Sequence, residues 1–196
     1  MLKSMQFEIE RALDVAGLDS FFCGVKSMDR FIHDKQNGLA KYVENGLTNL
    51  WIVRQDGLIC GFYALSKSSL IINSEDIRNL SRKDEGYYWF DLESSFPSVK
   101  IDYLAVNVSY RNKGIGSILI DMILDGIAND KFTSTLFLVV DALDTREYSA
   151  VNFYKKNFFV ESEYGIVRNQ NRIINGEGVD TKLMYLPIFS INSKKY

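Results

Sequence analysis

The chain has 196 residues, of which 46% are hydrophobic and 24% are charged, so we expect one folded domain over residues 1–196 and exclude a disordered chain. Its formal net charge of −2 gives no general attraction to nucleic acid, and no apolar run reaches the roughly 20 residues of a membrane span. Two cysteines and one histidine form neither a disulfide framework nor a convincing zinc set, so we expect a cytoplasmic protein with no metal site and no membrane partner.

The first half of the chain predicts strands and two short helices. Residues 6–11 fit a first strand. Ser27 is a suitable N-cap for a helix, and a second helical segment is expected at 39–43. Residues 47–53 and 58–65 have the composition of strands, and the Asp-Gly pair between them predicts that they form a hairpin.

Residues 71–97 predict only a short helix at 76–83 and an aromatic strand at 87–90. The second half of the chain alternates strands with helices. The predicted strands are 101–108, 135–141, 158–163 and 182–190, and the predicted helices begin near 118 and cover 147–157. Because a strand, a helix and a strand in succession imply parallel pairing with a crossover, the class is α/β, with an antiparallel front half and a parallel pair in the middle.

A basic turn with two glycines, residues 109–117, joins the strand at 101–108 to the following helix. The first N–H groups of a helix lack partners within the helix, and the helix dipole favours negative charge there. Gly114 and Gly116 allow a ligand to approach the main chain closely. Arg111 and Lys113 add positive charge, so the turn has the properties of a site for phosphate groups.

Three phosphate-binding patterns compete for this turn. A P-loop requires a lysine after the glycines, and Lys113 precedes them. A dinucleotide fingerprint requires a third glycine where Leu119 stands, although Asp141 ends the next strand at a suitable distance. The remaining pattern, Arg/Gln-x-x-Gly-x-Gly/Ala, fits residues 111–116 at every defined position. This turn resembles the acetyl-CoA pyrophosphate loop of the GNAT superfamily of N-acetyltransferases; the alternative is a strand-to-helix turn that merely uses glycine.

Other segments extend the resemblance. Residues 150–159 are similar to the Ala-x-x-Phe-Tyr-x-x-x-Gly-Phe helix end of GNAT enzymes, and residues 61–65 are similar to the hairpin strand of that family. Residues 22–32 and 184–187 resemble the branch that contains bacterial toxins acetylating the amino group of aminoacyl-tRNA. Phe158 replaces the family's glycine, so we expect the turn that leaves this helix to differ from the family's turn.

The resemblance implies a GNAT-like mixed, mostly antiparallel central sheet with a splayed parallel strand pair, flanked by helices. Acetyl-CoA, as co-substrate, would lie in the splay on exposed main chain, where an N–H near Ala105 or Val106 would stabilise the tetrahedral oxyanion. An ordinary core strand is the alternative. Ser117 is also expected to cap the new helix. The implied cofactor-binding residues are Leu104, Ala105, Val106, Arg111, Asn112, Lys113, Gly114, Ile115, Gly116, Ser117 and Asn152.

Tyr154 is the residue that we predict for catalysis. A phenol with a pKa of about 10 is protonated at neutral pH, so it can hydrogen-bond to or protonate the thiolate that leaves when an amine attacks acetyl-CoA. A core tyrosine is the alternative. Asp102 is predicted to accept the amine proton through water, with Glu93 as the weaker choice and a solvated carboxylate as the alternative. If the acceptor is the α-amino group of an aminoacyl ester, its lower pKa reduces the need for a base.

The sequence leaves the acceptor open. The leading hypothesis is direct transfer of the acetyl group from acetyl-CoA to a primary amine in a ternary complex, on a small molecule, a protein or a charged tRNA. The alternatives are a toxin-like enzyme acting on aminoacyl-tRNA, with a homodimer and an antitoxin as further partners, and a non-catalytic acyl-CoA-binding regulatory module. The tRNA hypothesis predicts a basic surface formed by Arg78, Arg82, Lys83, Lys155, Lys156, Arg168 and Arg172.

Overall fold

The computed structural model describes residues 6–73, 76, 80, 95–174, 176 and 178–188. Its strands are β1 Phe7–Ala12, β2 Asn49–Gln55, β3 Leu58–Ile71, β4 Ser95–Val106, β5 Phe137–Leu143, β6 Val160–Glu161 and β7 Thr181–Pro187. Its helices are α1 Lys26–His33, α2 Leu39–Glu44, α3 Ile115–Ala128, α4 Val151–Lys156 and α5 Glu163–Ile174. The predicted aromatic strand at 87–90 and the weaker candidate base Glu93 lie outside the described residues, as does the predicted helix at 76–83 except for residues 76 and 80.

The described strands form one seven-stranded sheet in the order β1-β2-β3-β4-β5-β7-β6. The pairs β1–β2, β2–β3, β5–β7 and β6–β7 are antiparallel, and β4 with β5 is the parallel pair. This arrangement confirms the predicted mixed, mostly antiparallel sheet with one parallel pair and flanking helices. The splay of that pair stays a prediction.

The chain divides into two compact units. The first comprises Met1–Ser66 and Ile101–Asn129, and the second comprises Lys67–Lys100 and Asp130–Tyr196. The expectation of a single domain over residues 1–196 stays a prediction. None of the helices in the described ranges is long and apolar enough to cross a lipid bilayer.

Each unit has a cluster of buried apolar side chains among its described residues. In the first unit these are Leu18, Phe21, Cys23, Ile32, Leu39, Leu50, Ile52, Phe62, Ala64 and Ala105. In the second unit they are Leu70, Ile72, Leu80, Phe96, Phe137, Val139 and Tyr185. Burial of apolar surface is the main favourable contribution to folding, so each cluster stabilises its own unit.

The predicted hairpin in the first unit closes on a two-residue turn. Asp56 and Gly57 both have positive φ, at 52° and 79°, as a type I′ turn requires. This turn type matches the twist of the flanking strands, so β2 and β3 continue directly into an antiparallel ladder. The hairpin prediction is therefore confirmed, with β2 starting at Asn49 rather than at residue 47.

Gly61 lies where β3 passes close to β4 and α3 in the first unit. A Cβ atom at this position would lie 2.9 Å from the carbonyl oxygen of Ala105 and 3.0 Å from Cδ1 of Leu119. Both neighbours are buried, and a main-chain oxygen in a packed sheet cannot move away easily. Gly61 therefore sets how closely β3 can approach the strand that precedes the basic turn and the helix that follows it.

Asp76 is a carboxylate of the second unit that is only 1% exposed. It accepts hydrogen bonds from the main-chain N–H groups of Glu163 at 3.0 Å and Tyr164 at 3.1 Å, so it caps the N-terminus of α5. The hydroxyl groups of Ser162 and Tyr185 donate to the same carboxylate at 3.1 Å and 3.3 Å. Burial, followed by the negative charge of Asp76, raises the pKa of Tyr185. Asp76 thus ties the start of α5 to β7.

We expect Gly61→Ala to lower the free energy of unfolding by about 1–3 kcal/mol, because the added methyl group overpacks a site where it meets main chain. The matched control is Gly126→Ala in α3, where an added Cβ would meet no atom within 4 Å. This control should raise stability by about 0.5–1 kcal/mol, because alanine favours helix. Urea unfolding measures both variants, and equal stability of the two would contradict the proposed close approach.

Candidate active site

The glycine turn has the backbone geometry of an anion-binding helix start. Asn112 and Gly114 have positive φ, at 60° and 80°, and Gly114 is the N-cap of α3. The first N–H groups that bond back toward the turn are those of Ser117 at 3.1 Å and Ile118 at 3.2 Å, both to the carbonyl oxygen of Gly114. The N–H groups of the two helical residues before Ser117 have no acceptor within the helix, as at any helix start. They are the groups that can bind a phosphate.

The expectation that Ser117 caps this helix is wrong. The helix starts two residues earlier, at Ile115, and its N-cap Gly114 has no side chain that could form the capping hydrogen bond. Ser117 is exposed within the first turn of the helix. Ile115 is only 2% exposed, so its side chain belongs to the core, and only its main-chain N–H is available for the predicted contact with the coenzyme.

Both predicted cations of the turn lie beside it. The Nζ atom of Lys113 donates to the carbonyl oxygen of Ser109 at 2.9 Å and lies 5.3 Å from the centre of the Tyr110 ring. The guanidinium of Arg111 lies next to Gly24, where an added Cβ atom would be 3.7 Å from Nη1. The positive charge of these two side chains therefore adds to that of the helix start.

A loop around Gly24 packs on the turn and is held by Asp29. The N–H of Val108 donates to the carbonyl oxygen of Phe22 at 2.8 Å. The carboxylate of Asp29 accepts the N–H groups of Cys23 at 2.7 Å and Gly24 at 3.0 Å. This role of Asp29 could not be predicted from the sequence, because the bonds join a helix residue to the loop that precedes it.

This loop also corrects the predicted start of the first helix. α1 begins at Lys26, and its N-cap is Val25, which forms no side-chain capping bond. Ser27, the predicted N-cap, lies inside the first turn. Asp29 occupies the first turn of α1 as well, and a negative charge there is stabilised by the helix dipole.

The two cysteines are buried and unreactive in character. Burial is the main factor that raises the pKa of Cys23 to about 11, and burial also raises the pKa of Cys60. The thiol of Cys60 donates to the carbonyl oxygen of Val53 at 3.4 Å. Because the thiolate is the nucleophilic form, neither cysteine is suited to nucleophilic catalysis at neutral pH.

The end of β4 carries Asp102 and the three residues predicted to contact pantetheine. Ala105 is buried, whereas Leu104 and Val106 are half-buried. The carboxylate of Asp102 accepts hydrogen bonds from the hydroxyl of Thr48 at 2.7 Å and from the hydroxyl of Ser66 at 3.0 Å. Each oxygen keeps a second lone pair, so Asp102 can still accept a proton or a further hydrogen bond.

Tyr154 lies in α4 of the second unit and is only 5% exposed. Its ring packs edge-on against Phe153 and Phe159, with ring centres 5.0 Å and 5.1 Å away. Burial is the main factor that raises its pKa above the ordinary value, so the phenol keeps its proton at neutral and mildly alkaline pH. Among the described residues, none forms a hydrogen bond with its hydroxyl group. The hydroxyl can therefore donate to a bound molecule.

Phe158 lies in the turn after this helix, and the expected difference from the family's turn stays a prediction. Phe158 has a φ of 67°, the left-handed conformation in which glycine is favoured. Its N–H donates to the carbonyl oxygen of Lys155 at 3.1 Å, and the N–H of Phe159 donates to that of Tyr154 at 3.0 Å. These two bonds form a Schellman motif. The turn is thus an ordinary helix end in which a phenylalanine adopts the conformation of a glycine.

The first unit therefore brings together the glycine turn, the end of β4 and Asp102, and the second unit contains Tyr154 and Asn152. Asn152 is exposed in the first turn of α4. Of the predicted basic surface, Lys155 and Lys156 are exposed and Arg168 and Arg172 are half-buried. Arg78, Arg82 and Lys83 lie outside the described residues.

The fold and the glycine turn define a class, the acetyltransferases. A family model described as "Acetyltransferase (GNAT) domain" matches residues 46–161, and the chain belongs to this family. The predicted family, enzyme class and co-substrate are confirmed: the protein is an acetyl-CoA-dependent N-acetyltransferase. No curated protein matches the chain in sequence.

Several solved structures share the fold. One is described as AtaT complexed with acetyl-methionyl-tRNAfMet, with a TM-score of 0.67, 19% identity and coverage of 97% of this chain and 100% of that chain. A second, AtaTR bound with AcCoA, has a TM-score of 0.66, 20% identity and coverage of 97% and 98%. A third contains a mutant of the toxin AtaT bound to the C-terminus of the antitoxin AtaR, with a TM-score of 0.63, 20% identity and coverage of 95% of each chain.

We expect Phe158→Gly to be more stable than Phe158→Ala by about 1 kcal/mol, because only glycine adopts the left-handed conformation without strain. The side chain of Phe158 is 82% exposed, so both substitutions lose little buried surface. In a chain of this size the difference corresponds to a melting-temperature shift of roughly 2–4 °C. An alanine variant as stable as the glycine variant would contradict the positive φ.

We expect Asp29→Asn to weaken acetyl-CoA binding several-fold, because the loop at Cys23 and Gly24 loses the charge that holds it against the glycine turn. Isothermal titration with acetyl-CoA measures the dissociation constant. Asp19→Asn makes the same charge change at an exposed residue and should leave the dissociation constant unchanged. An equal effect of the two substitutions would mean that only net charge matters.

Proposed function

We propose that this acetyltransferase moves the acetyl group directly from acetyl-CoA to a primary amine, with Tyr154 donating a hydrogen bond to the leaving sulfur. The observation that carries the proposal is a buried phenol with a raised pKa and a hydroxyl that no described residue engages. In the reaction, the amine nitrogen forms a bond to the carbonyl carbon and the carbon–sulfur bond breaks. The electron pair of that bond stays on the sulfur, and the ammonium proton is lost to water or to Asp102.

The raised pKa of Tyr154 decides between the two roles that a phenol could have. A thiol has a pKa of about 8.5, well below that of this phenol, so complete transfer of the phenolic proton to the thiolate is unfavourable. A hydrogen bond from the phenol to the developing negative charge is favourable, and it is stronger in a site from which water is excluded. Tyr154 therefore stabilises the leaving group and remains protonated.

The remaining site residues bind and orient the coenzyme in this proposal. The N–H groups at Gly114, Ile115 and Gly116 take the pyrophosphate, with Arg111, Asn112, Lys113 and Ser117 around them. Main chain of Leu104, Ala105 and Val106 takes the pantetheine arm, and Asn152 contacts it from α4. The helix start supplies both oriented donors and a favourable dipole for the diphosphate, which supports the assignment.

As the acceptor we propose the amino group of a charged tRNA. The support is the similarity of nearly the whole chain to AtaT, which was solved with an acetylated methionyl-tRNA, together with the sequence motifs of the toxin branch. The α-amino group of an aminoacyl ester loses its proton more easily than a free amine. Such an acceptor needs only a weak base. The candidate base is Asp102, whose two oxygens already accept hydrogen bonds from Thr48 and Ser66.

The same similarity supports a protein partner. AtaT binds the C-terminus of the antitoxin AtaR, so we propose an antitoxin for this chain as well. From the sequence alone, we also propose that this acetyltransferase is a cytoplasmic homodimer. Sedimentation of the purified protein tests the dimer. Rescue of growth by a co-expressed neighbouring open reading frame tests the antitoxin.

We expect Tyr154→Phe to lower kcat about 100-fold, the loss typical of one transition-state donor, and to leave the dissociation constant for acetyl-CoA unchanged. The melting temperature should also be unchanged, because the ring contacts remain and the hydroxyl has no partner among the described residues. Release of coenzyme A thiol measures kcat. Unchanged turnover would remove Tyr154 from the mechanism, and no turnover by the unmodified protein with any amine would favour the non-catalytic module.

We expect charged tRNA to be acetylated with a kcat/KM at least 100-fold above that of free amino acids or polyamines. Transfer of radiolabel from acetyl-CoA to each acceptor measures this ratio. Because phosphate contacts release counterions, kcat/KM for tRNA should fall steeply with added salt, whereas that for a small amine should not. A preference for the small amine at low salt would contradict the proposed acceptor.

A further inference from the structure

A polar cavity of about 160 Å³ lies within the second unit, and none of the predicted catalytic or coenzyme-binding residues is among the described residues that line it. Its walls come from β3, β4, β5, β7 and α5, and they include Ser68, Lys100, Asp141, Tyr164 and Arg168. A single ordered water needs about 10–15 Å³ of such space. The cavity is therefore large enough for a small chemical group rather than for one solvent molecule.

The charges of the described residues that line this cavity do not balance. The Nζ atom of Lys100 lies 2.9 Å from one carboxylate oxygen of Asp141, and Nη2 of Arg168 lies 3.4 Å from the other. In the described part of the lining, two cations thus share one carboxylate, which leaves a net charge of +1. A cavity with this charge favours an anion and disfavours a polyamine.

Arg168 also has an unused donor. Its Nε atom is buried and has no hydrogen-bond partner among the described residues. A buried donor without a partner destabilises the folded protein, and a bound oxyanion would remove that cost. The planar guanidinium matches the geometry of phosphate and carboxylate oxygens. The hydroxyl of Ser68, which forms no bond with a described residue, lies on the wall of the same cavity.

We propose that this cavity binds a phosphate or carboxylate group of the acceptor, an inference that rests on the proposed transfer to an amine. The two possible sources have the same oxyanion chemistry: a nucleotide phosphate of a charged tRNA and the free carboxylate of an amino acid or peptide. Arg168 and Lys100 hold the oxyanion, and Asp141 weakens its binding by neutralising one of the two cations. All three side chains belong to second-unit elements, as does Tyr154.

The first test is direct binding, independent of acetyl transfer. Inorganic phosphate and acetate are titrated separately into the protein while the 1H–15N signals of the arginine Nε groups are recorded. One arginine signal should shift saturably, and it should be absent in Arg168→Gln. The better-bound anion identifies the source of the oxyanion. Lack of a saturable shift with either anion overturns the proposal.

Two variants should change the affinity for the anion in opposite directions, and a third should leave it unchanged. Arg168→Gln should weaken binding of the preferred anion at least tenfold, and its fold is supported because Lys100 still pairs with Asp141. Asp141→Asn should tighten the same binding at least threefold, because the net charge rises to +2. Lys182→Gln is the matched control: Lys182 has the same side-chain exposure as Arg168, 39%, and is also ion-paired, but does not line the cavity. Weaker binding in Asp141→Asn overturns the proposal.

The second test asks whether the anion belongs to the acceptor. Across the three variants, the KM for the acceptor should rise where the affinity for the anion falls and fall where it rises. The values of kcat and of the dissociation constant for acetyl-CoA should stay unchanged. If anion binding follows the expected order but KM does not move, the assignment to the acceptor is overturned. If the unmodified protein acetylates no amine, the proposed function fails, and the titration with phosphate and acetate still decides whether the cavity is an anion site.

Discussion

A single missing side chain, at Gly61, sets how closely β3 packs against the strand and the helix that flank the glycine turn. Strand β3 passes so close to β4 and α3 that a methyl group would meet the main-chain oxygen of Ala105 and the side chain of Leu119. The strand before the glycine turn and the helix after it are therefore both packed against β3. The turn must join two fixed ends, and it does so through left-handed residues at Asn112 and Gly114. The close packing of β3 against β4 and α3 thus leaves the turn that precedes α3 at the surface.

Much of this arrangement could be predicted from the sequence because its chemistry is local. The residue types of the Asp-Gly pair at 56–57 and of Gly114 favour the positive φ that the structure shows, and the motifs around them identify the family. The expected caps at Ser27 and Ser117 were wrong for a physical reason. A capping hydroxyl contributes only about 0.5–2 kcal/mol. The loop bonded to Asp29 and the left-handed Gly114 place the two helix starts two and three residues earlier than a serine cap predicts.

The features that the sequence could not predict join residues far apart in the chain. Asp76 accepts hydrogen bonds from Ser162 and Tyr185, and the cation pair on Asp141 comes from Lys100 and Arg168. The sequence around each of these residues does not indicate its partners in the fold. Only the sheet order, which places β4, β5 and β7 side by side, brings such groups together. Phe158 is a different case, because its backbone has a positive φ although its residue type disfavours that conformation.

The burial of both cysteines has a practical consequence for studying the enzyme. A reagent that detects thiols reacts with thiolates, and the two thiols of this chain have raised pKa values and lie in the interior. The folded protein should therefore contribute almost no background when liberated coenzyme A is followed by its colour reaction. A slow rise in colour without any acceptor would then report hydrolysis of the thioester or opening of the protein interior. A sample without acetyl-CoA, in which only the protein's own thiols can react, distinguishes the two.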